Sequence, residues 1–291
     1  METFTFSALG TQWSILVDHD IFSEADKKAI LDDVASFEDH FSRFRPASEV
    51  NQFREASAGT YVLSDEFVLL LASADRLRTL TGGIYDPAVG RLLEHAGYDQ
   101  EYRMEPDAEA ARYALPRWSL SPSEKMITID GPVVFDFGGI GKGYCIDLVA
   151  ELLKRQGYAH FLVEGGGDMY GTTKRDGSAY RIALEWPGKP DTAFGVVELK
   201  YRGVAVSDSF KRRWKDWHHI IDPHSRKPIA TIIGCTALAP TAFAADQMTS
   251  GLFLSGKERY PDIASALEAE FVVFHSDGTV QVSPDFSGTL F

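Results

Sequence analysis

Two glycine clusters, each directly after a short apolar stretch, limit what this chain can fold into more than any other feature. One is Gly138–Gly143, within the segment DFGGIGKGYCID, and the other is Gly165–Gly167, within VEGGGD. Glycine adopts backbone conformations that other residues avoid, so each cluster predicts a tight turn. Such loops also let backbone amides approach a phosphate, and a helix that begins there adds partial positive charge. The clusters therefore indicate either bare turns or one shared cleft for an anionic ligand.

Neither cluster matches a common nucleotide-binding loop. In a P-loop the lysine is followed by serine or threonine, whereas Lys142 is followed by Gly143. A dinucleotide fingerprint requires a parallel β-α-β unit around it, and the strands predicted here are mainly antiparallel. The sequence therefore gives little support to an ordinary flavin oxidoreductase of that fold.

The spacing of apolar residues predicts helices mixed with mostly antiparallel strands, which is typical of an α+β fold. Ser23, with Asp26 at the capping-box spacing, begins a helix whose apolar stripe runs to Phe44 before Pro46 ends it. Val133–Phe135 has the pattern of a strand. The composition of residues 100–117 predicts a charged connector with one helical stretch. No linker separates domains, so we expect residues 1–291 to form a single domain.

Net charge excludes some partners. The chain has 29 Lys and Arg against 42 Asp and Glu, a formal charge of −13. An acidic surface repels nucleic-acid backbones, so we expect no nucleic-acid partner. A small phosphorylated ligand is still compatible, provided that a metal ion and backbone amides hold it.

The sequence shows no pattern typical of a membrane span, an export signal or a cysteine-based metal or redox site. No apolar run reaches the roughly 18 residues of a membrane-spanning helix, so we expect no membrane span. The opening METFTFSALG carries no basic region, apolar signal or lipobox cysteine, which favours a cytoplasmic location. Cys145 and Cys235 lie in no CxxC or zinc pattern.

Two polar motifs outside the glycine clusters could carry chemistry. In HHIIDP, His219 stands three residues before Asp222 and could orient a phosphate or move a proton, although a lone histidine at a strand end is more often structural. In AADQMTSGLFL, Asp246, Thr249 and Ser250 share one helix face. Their oxygens suit Mg²⁺, but on this motif alone local capping of the helix is the favoured explanation.

Two further motifs are ambiguous. In TGGIYDP, Asp86 could simply begin the helix that follows Pro87. In FSRFRPASEVNQF, Arg43 and Arg45 read as solvated side chains, and Phe44 fits the apolar stripe of the preceding helix.

Taken in chain order, these motifs resemble the flavin transferase family, the FAD:protein FMN transferases also called ApbE. The resemblance spans nearly the whole chain. It rests on Leu9-Gly10-Thr11, Ser42 to Glu49, Gly82 to Pro87, Asp136 to Asp147, Gly166-Gly167-Asp168, Ser207, His219 to Pro223 and Asp246 to Ser250.

The resemblance implies an α+β fold of two intimate lobes, with FAD in the cleft between them. It implies a set of FAD-binding residues, namely Leu9, Phe44, Ile84, Tyr85, Asp86, Tyr144, Asp168, Ser207 and Ile220. It further implies a Mg²⁺ site made of the Gly141 carbonyl, Asp246, Thr249 and Ser250. His219 would lie near the diphosphate or flavin, and either His219 or Asp222 would act as the catalytic base.

The reaction implied is phosphoryl transfer. A Ser or Thr hydroxyl of an acceptor flavoprotein attacks the FMN phosphorus of FAD, and AMP leaves. Two alternatives remain: a Mg²⁺-dependent FAD pyrophosphatase that releases FMN and AMP, and a non-catalytic FAD-binding protein.

Several positions depart from the family pattern. Leu9 replaces Met, Gly141 replaces Ala and Ser250 replaces Thr, and each change keeps the chemistry. By contrast, Val206-Ser207-Asp208 stands in place of Thr-Ser-Gly, and His224-Ser225-Arg226 follows Asp222-Pro223 without the usual glycine. These last two changes affect the acceptor and the flavin more than the metal.

Overall fold

An eight-stranded antiparallel sheet forms the centre of the computed structural model, which describes residues 1–291. The strands of the chain are β1 (Glu2–Ala8), β2 (Thr11–Val17), β3 (Gly59–Val62), β4 (Trp118–Ser121), β5 (Met126–Ile129), β6 (Phe161–Gly165), β7 (Asp168–Gly171), β8 (Tyr180–Trp186), β9 (Lys189–Leu199), β10 (Arg202–Asp208), β11 (Arg213–Trp214), β12 (Trp217–His218), β13 (Ile221–Asp222), β14 (Lys227–Pro228), β15 (Ile232–Ala239), β16 (Glu270–His275), β17 (Val280–Val282) and β18 (Thr289–Leu290). The helices are α1 (Glu24–Phe41), α2 (Asp65–Leu80), α3 (Gly90–His95), α4 (Gly141–Arg155), α5 (Ala242–Phe253) and α6 (Tyr260–Leu267).

The central sheet has the strand order β1-β2-β6-β7-β10-β15-β16-β17. Two three-stranded sheets, β18-β9-β8 and β3-β5-β4, and two short hairpins, β11-β12 and β13-β14, complete the strands. All of the paired strands run antiparallel. The predicted α+β class with mainly antiparallel sheets is thereby confirmed.

One hydrophobic core extends through most of the chain. A cluster of 45 buried side chains runs from Trp13 to Val273 and includes the inward faces of α1, α2, α4 and α5. Burial on this scale is the main stabilising contribution to such a fold. The division into two lobes and the single-domain boundary stay predictions. None of the helices has the length and apolarity needed to cross a bilayer.

The first helix begins as predicted and ends early. The Ser23 hydroxyl accepts a hydrogen bond from the amide of Asp26, and the Asp26 carboxylate accepts one from the amide of Ser23. The helix ends at Phe41 because Ser42 adopts extended backbone. The apolar stripe therefore does not continue to Phe44, which leaves the helix axis and lines a cavity.

Two other element predictions are wrong. Val133–Phe135 is not part of a sheet, because its backbone groups bond to separate partners: the Val133 amide donates to the Phe53 carbonyl, and the Val134 carbonyl accepts from Gly90. Residues 100–117 contain turns but no helix. The connector instead folds back on itself, with the Met104 amide donating to the Gly97 carbonyl.

The starts of α4 and α5 lie side by side, and this contact positions the site. A Cβ added to Gly143 would lie 2.3 Å from the Ala242 carbonyl oxygen, so only glycine allows the helices this close. The Asp147 carboxylate of α4 accepts hydrogen bonds from the amides of Ala242 (3.0 Å) and Phe243 (2.9 Å). It thereby satisfies amides that the first turn of α5 leaves without helical partners.

Candidate functional site

Both glycine clusters border a single cavity of about 570 Å³, a size typical of small-molecule sites. Eleven of the residues predicted for the site line it: Leu9, Phe44, Ile84, Tyr85, Asp86, Gly141, Ser207, His219, Ile220, Asp246 and Ser250. The tertiary structure thus brings together residues that are up to about 240 positions apart in the chain. Tyr144, Asp168, Asp222 and Thr249 do not line the cavity.

Asp246 is not the cap of α5. Thr241 occupies the N-cap and accepts a hydrogen bond from the amide of Ala244, while Asp246 lies in the second turn. The Asp246 carboxylate, only 3% exposed, accepts a hydrogen bond from the amide of Gly143 at 2.9 Å. Burial raises the pKa of Asp246 to about 7, and the nearby Lys142 ammonium opposes that rise. The capping explanation of this residue is therefore wrong.

The hydroxyls of Thr249 and Ser250, on the same helix as Asp246, point to different surroundings. The Ser250 hydroxyl lines the cavity and donates to the Gly139 carbonyl at 2.5 Å. The Thr249 hydroxyl is fully buried, donates to the Asp246 carbonyl and accepts from the Ser207 hydroxyl at 3.1 Å. Thr249 therefore contacts Ser207 and the backbone of Asp246 rather than the cavity.

The residues present fit a Mg²⁺ ion that is shared with a phosphorylated ligand. The cavity wall offers oxygen donors from Gly141, Asp246 and Ser250, the ligand type that hard cations prefer. No group of three or more His, Cys, Asp and Glu side chains could hold a metal on its own. Mg²⁺ is usually bound by one or two carboxylates together with substrate phosphates, so the Asp246 carboxylate is sufficient as the one acidic ligand of this set.

Lys142 connects the two glycine clusters. Its ammonium forms an ion pair with Asp168, which is fully buried behind the cavity. The other Asp168 oxygen accepts from the amide of Val206 at 3.0 Å. Asp168 therefore positions Lys142 and β10, and it reaches the cavity only through Lys142.

Tyr144 also lies outside the cavity. Its ring packs against Phe37 and Phe243, with centroids 6.0 and 5.2 Å away. Burial and the neighbouring Glu66 raise the pKa of Tyr144 to about 12. The side chain contributes to the packing of α4 against α1 and α5.

The two histidines of HHIIDP differ in environment. The His218 ring is held by the Ile229 carbonyl, 2.8 Å from its Nε2, and by the Ile220 amide, which donates to Nδ1. The His219 ring lines the cavity, and its buried Nδ1 has no hydrogen-bond partner. Burial lowers the pKa of His219 to about 3, and the positive charge of Arg212 lowers it further. His219 is therefore neutral at pH 7.

Asp222 is engaged in a turn. Its carboxylate accepts from the amide of His224 at 2.8 Å and shapes the β13-β14 hairpin. It does not line the cavity.

Aromatic rings and a buried guanidinium form one wall of the cavity. Phe44 stacks on Tyr102, with centroids 5.5 Å apart and an interplanar angle of 5°. The Arg43 guanidinium lies 4.1 Å from the centroid of the Phe44 ring and forms an ion pair with Asp136. The prediction that Arg43 is solvated is wrong: the residue is 2% exposed. Arg45 is indeed partly exposed and pairs with Glu38 and Asp39.

Three buried polar atoms at the cavity have no hydrogen-bond partner. They are Nη1 of Arg43, the hydroxyl of Tyr85 and Nδ1 of His219. Leaving a buried polar group without a hydrogen bond costs about 1–3 kcal/mol. A polar ligand in the cavity would supply the missing partners.

Sequence reasoning missed several lining residues, among them two tyrosines and an arginine. Tyr98 and Tyr102 come from the connector, and Arg212 comes from the turn between β10 and β11. The signals were available: two tyrosines four residues apart beside Gly97, and the basic run Lys211–Arg213 in an acidic chain.

Comparisons with known proteins identify the family of this chain. The model of the ApbE family matches residues 9–273. The chain is 31% identical over 260 residues to the FAD:protein FMN transferase of Haemophilus influenzae, covering 81% of this chain and 73% of that protein. It is 29% identical over 244 residues to the FAD:protein FMN transferase of Vibrio cholerae, covering 78% and 72%.

Solved structures share the fold. The flavin transferase ApbE from Vibrio cholerae superposes with a TM-score of 0.84 at 26% identity, over 98% of this chain and 97% of that one. The ApbE protein of Thermotoga maritima superposes with a TM-score of 0.86 at 24% identity, with the same coverage. Because the family model matches most of the sequence, this chain belongs to the ApbE family.

Proposed function

We propose that this chain is a Mg²⁺-dependent FAD:protein FMN transferase whose acceptor is a Ser or Thr hydroxyl of a flavoprotein. The observation that carries the proposal is the cavity itself. It combines two glycine loops, a buried carboxylate on α5, and three polar atoms that lack a partner. The names of the relatives supply the reaction class.

The reaction exchanges one phosphoester for another. The acceptor hydroxyl oxygen forms a bond to the FMN phosphorus, and the bond from that phosphorus to the bridging oxygen of the diphosphate breaks. AMP leaves with the electron pair of that bond, and the hydroxyl proton passes to a base. When bound, Mg²⁺ would neutralise negative charge on the diphosphate. Catalysis of this kind depends on positioning and charge stabilisation.

The glycine loops and Asp246 hold the diphosphate end of FAD in this proposal. The start of α4, at Gly141–Gly143, directs backbone amides and the positive end of the helix dipole to the cavity. Asp246 and Ser250, with the Gly141 carbonyl, would hold Mg²⁺. Thr249 supports this set through its contact with Ser207.

The aromatic wall holds a planar ring. Phe44 and Tyr102 stack on each other at the cavity wall and provide aromatic surface. Nη1 of Arg43, which has no hydrogen-bond partner, can donate to a ring carbonyl or nitrogen. Leu9, Ile84 and Ile220 provide apolar contacts around it.

His219 is the better of the two candidate bases. It lines the cavity with a free Nδ1, whereas the Asp222 carboxylate is occupied at the hairpin turn. A pKa of about 3 makes the imidazole a weak base. The negative charge of a bound diphosphate would raise that pKa toward the range that general bases need.

The test separates transfer from hydrolysis. The protein is incubated with FAD and Mg²⁺, with and without candidate flavoprotein acceptors, and the acceptors are weighed by mass spectrometry. A mass increase of one FMN on a Ser or Thr, together with free AMP, is expected. Free FMN and AMP without a modified acceptor would identify a pyrophosphatase, and intact bound FAD would identify a binding protein. The cytoplasmic location is tested by fractionating cells that produce the full-length protein.

A further inference from the structure

The cavity contains two positive charges that no protein carboxylate neutralises. Six basic side chains line it: Arg43, Arg45, Lys142, Lys211, Arg212 and Arg213. The first four each have a carboxylate within 4.0 Å, namely Asp136, Glu38, Asp168 and Asp208. Arg212 and Arg213 form no ion pair. Of these two, Arg213 is exposed and Arg212 is half-buried.

The backbone on both sides of Arg212 is fixed. Before it, the Asp208 carboxylate accepts hydrogen bonds from the amides of Phe210 and Lys211, both at 2.8 Å. After it, Trp214 is buried and its indole nitrogen donates to the Ala96 carbonyl at 2.9 Å. The turn that carries Arg212 is therefore held against β10 and α3, with the Arg212 side chain at the cavity wall.

Arg212 shares the cavity with both chemical halves of the site. Arg212, His219 and Asp246 all line the same cavity wall. The positive charge of Arg212 also adds to burial in lowering the pKa of His219. Arg212 is therefore placed in one cavity with the carboxylate proposed for the metal and with the proposed base.

We infer that Arg212 is a further catalytic residue that binds the diphosphate of FAD and neutralises the charge that moves onto the AMP phosphate. This inference rests on the proposed function of the same cavity. Guanidinium groups match phosphate oxygens in a bidentate geometry, and an arginine supplied to a phosphoryl-transfer site stabilises the charge of the transition state. An unpaired guanidinium suits this role because it need not give up a carboxylate partner.

The experiment compares Arg212→Ala and Arg212→Lys with Arg181→Ala, an exposed arginine on β8 that does not line the cavity. Turnover of FAD is measured with Mg²⁺, and binding of ADP and of adenosine is measured by titration. In Arg212→Ala we expect kcat/KM to fall about 10²–10³-fold, the loss seen when one charge-stabilising donor is removed. We expect Arg212→Lys to fall less, and Arg181→Ala to match the wild-type protein.

The two nucleotides distinguish a phosphate contact from a structural effect. If Arg212 binds the diphosphate, Arg212→Ala weakens ADP binding at least about tenfold and leaves adenosine binding unchanged, since adenosine has no phosphate. Equal weakening of both, or turnover equal to that of Arg181→Ala, would overturn the inference. If the wild-type protein neither transfers nor releases FMN, the proposed function fails, while the ADP and adenosine titrations still test Arg212.

Discussion

At the scale of single residues, Asp246 shows how packing assigns a role that local sequence leaves open. Its carboxylate lies one turn beyond the N-cap of α5, and the amide that it accepts from belongs to Gly143 of another helix. A carboxylate buried in this way is costly unless positive charge or donors surround it. Lys142, the Gly143 amide and the proposed Mg²⁺ meet that need.

Replacing Asp246 with Asn tests the metal site. We expect the fold to survive, because Asn can still accept from the Gly143 amide. Metal-dependent turnover should fall at least about 100-fold, because changes around metal ligands already cost about 10–100-fold. Ser250→Ala should lose less, since water can replace a neutral hydroxyl. Turnover is measured against Mg²⁺ concentration, with thermal melting as the control for folding. An unchanged Mg²⁺ response in Asp246→Asn would remove the metal site.

Replacing His219 with Ala tests the base. We expect transfer to slow by about 10²–10⁴-fold, the usual contribution of general acid–base catalysis, with a smaller effect on FAD affinity. Asp222→Asn is the matched control, because its side chain shapes a hairpin turn and does not line the cavity. Single-turnover kinetics and FAD titration measure the two effects. Normal transfer by His219→Ala, or a larger loss in Asp222→Asn, would contradict the assignment.

At the scale of elements, the close approach of α4 and α5 determines the site. Each helix contributes a different part: α4 brings the glycine loop and Lys142, and α5 brings Asp246 and Ser250. Gly143 permits the approach, and Asp147 ties the two helix starts together through the amides of Ala242 and Phe243.

Replacing Gly143 with Ala should separate the helices. The added Cβ would lie 2.3 Å from the Ala242 carbonyl oxygen and 2.7 Å from Cβ of Asp246, so α5 must shift. Overpacking of this kind lowers the free energy of unfolding by about 1–3 kcal/mol. Turnover should fall by more than the loss of folded protein accounts for, because Asp246 moves with α5. Gly131→Ala is the control, since a Cβ there meets nothing within 4 Å. Urea unfolding and Mg²⁺-dependent turnover measure both effects; equal behaviour of the two variants would contradict the prediction.

At the scale of the whole molecule, the proposed function requires an acidic protein to bind an anionic ligand. The chain carries a formal charge of −13, yet the cavity contains two unpaired arginines and the N-terminal end of α4. The positive charge at the cavity acts on the ligand at short range. The acidic surface farther away repels the ligand less, because salt screens that repulsion over about 8–10 Å.

Binding of FAD should stabilise the fold, and the size of the effect should depend on whether Mg²⁺ is also present. FAD at about 100 times its dissociation constant adds about 2.7 kcal/mol to the free energy of unfolding, which raises the melting temperature by several degrees. Because the proposed metal ligands include only one carboxylate, that of Asp246, we expect the melting-temperature shift from FAD with Mg²⁺ together to exceed the sum of the shifts from FAD alone and from Mg²⁺ alone. Melting curves of the wild-type protein and Asp246→Asn measure this. Additive shifts in the wild-type protein would argue against a metal shared with the diphosphate.

The sequence by itself determined the local structure and most of the site composition. Ser23 caps the helix that follows it, as its spacing to Asp26 predicts. The α+β class follows from periodicity, which depends on residues only a few positions apart. Eleven of the predicted site residues do line one cavity. The order of the motifs along the chain was enough to select these residues, although the sequence gives no distances between them.

Only the tertiary structure decided which side chains face the ligand and which support them. Arg43 is buried because Asp136, 93 residues away, pairs with it. Asp246 is no cap because Thr241 and Asp147 already serve the start of α5. Tyr102 reaches the cavity because its connector folds back to stack on Phe44. Each of these outcomes depends on partners that are distant in the chain, whereas caps and periodicity act within a few residues. Burial and pairing are set by the whole fold, and local patterns do not encode them.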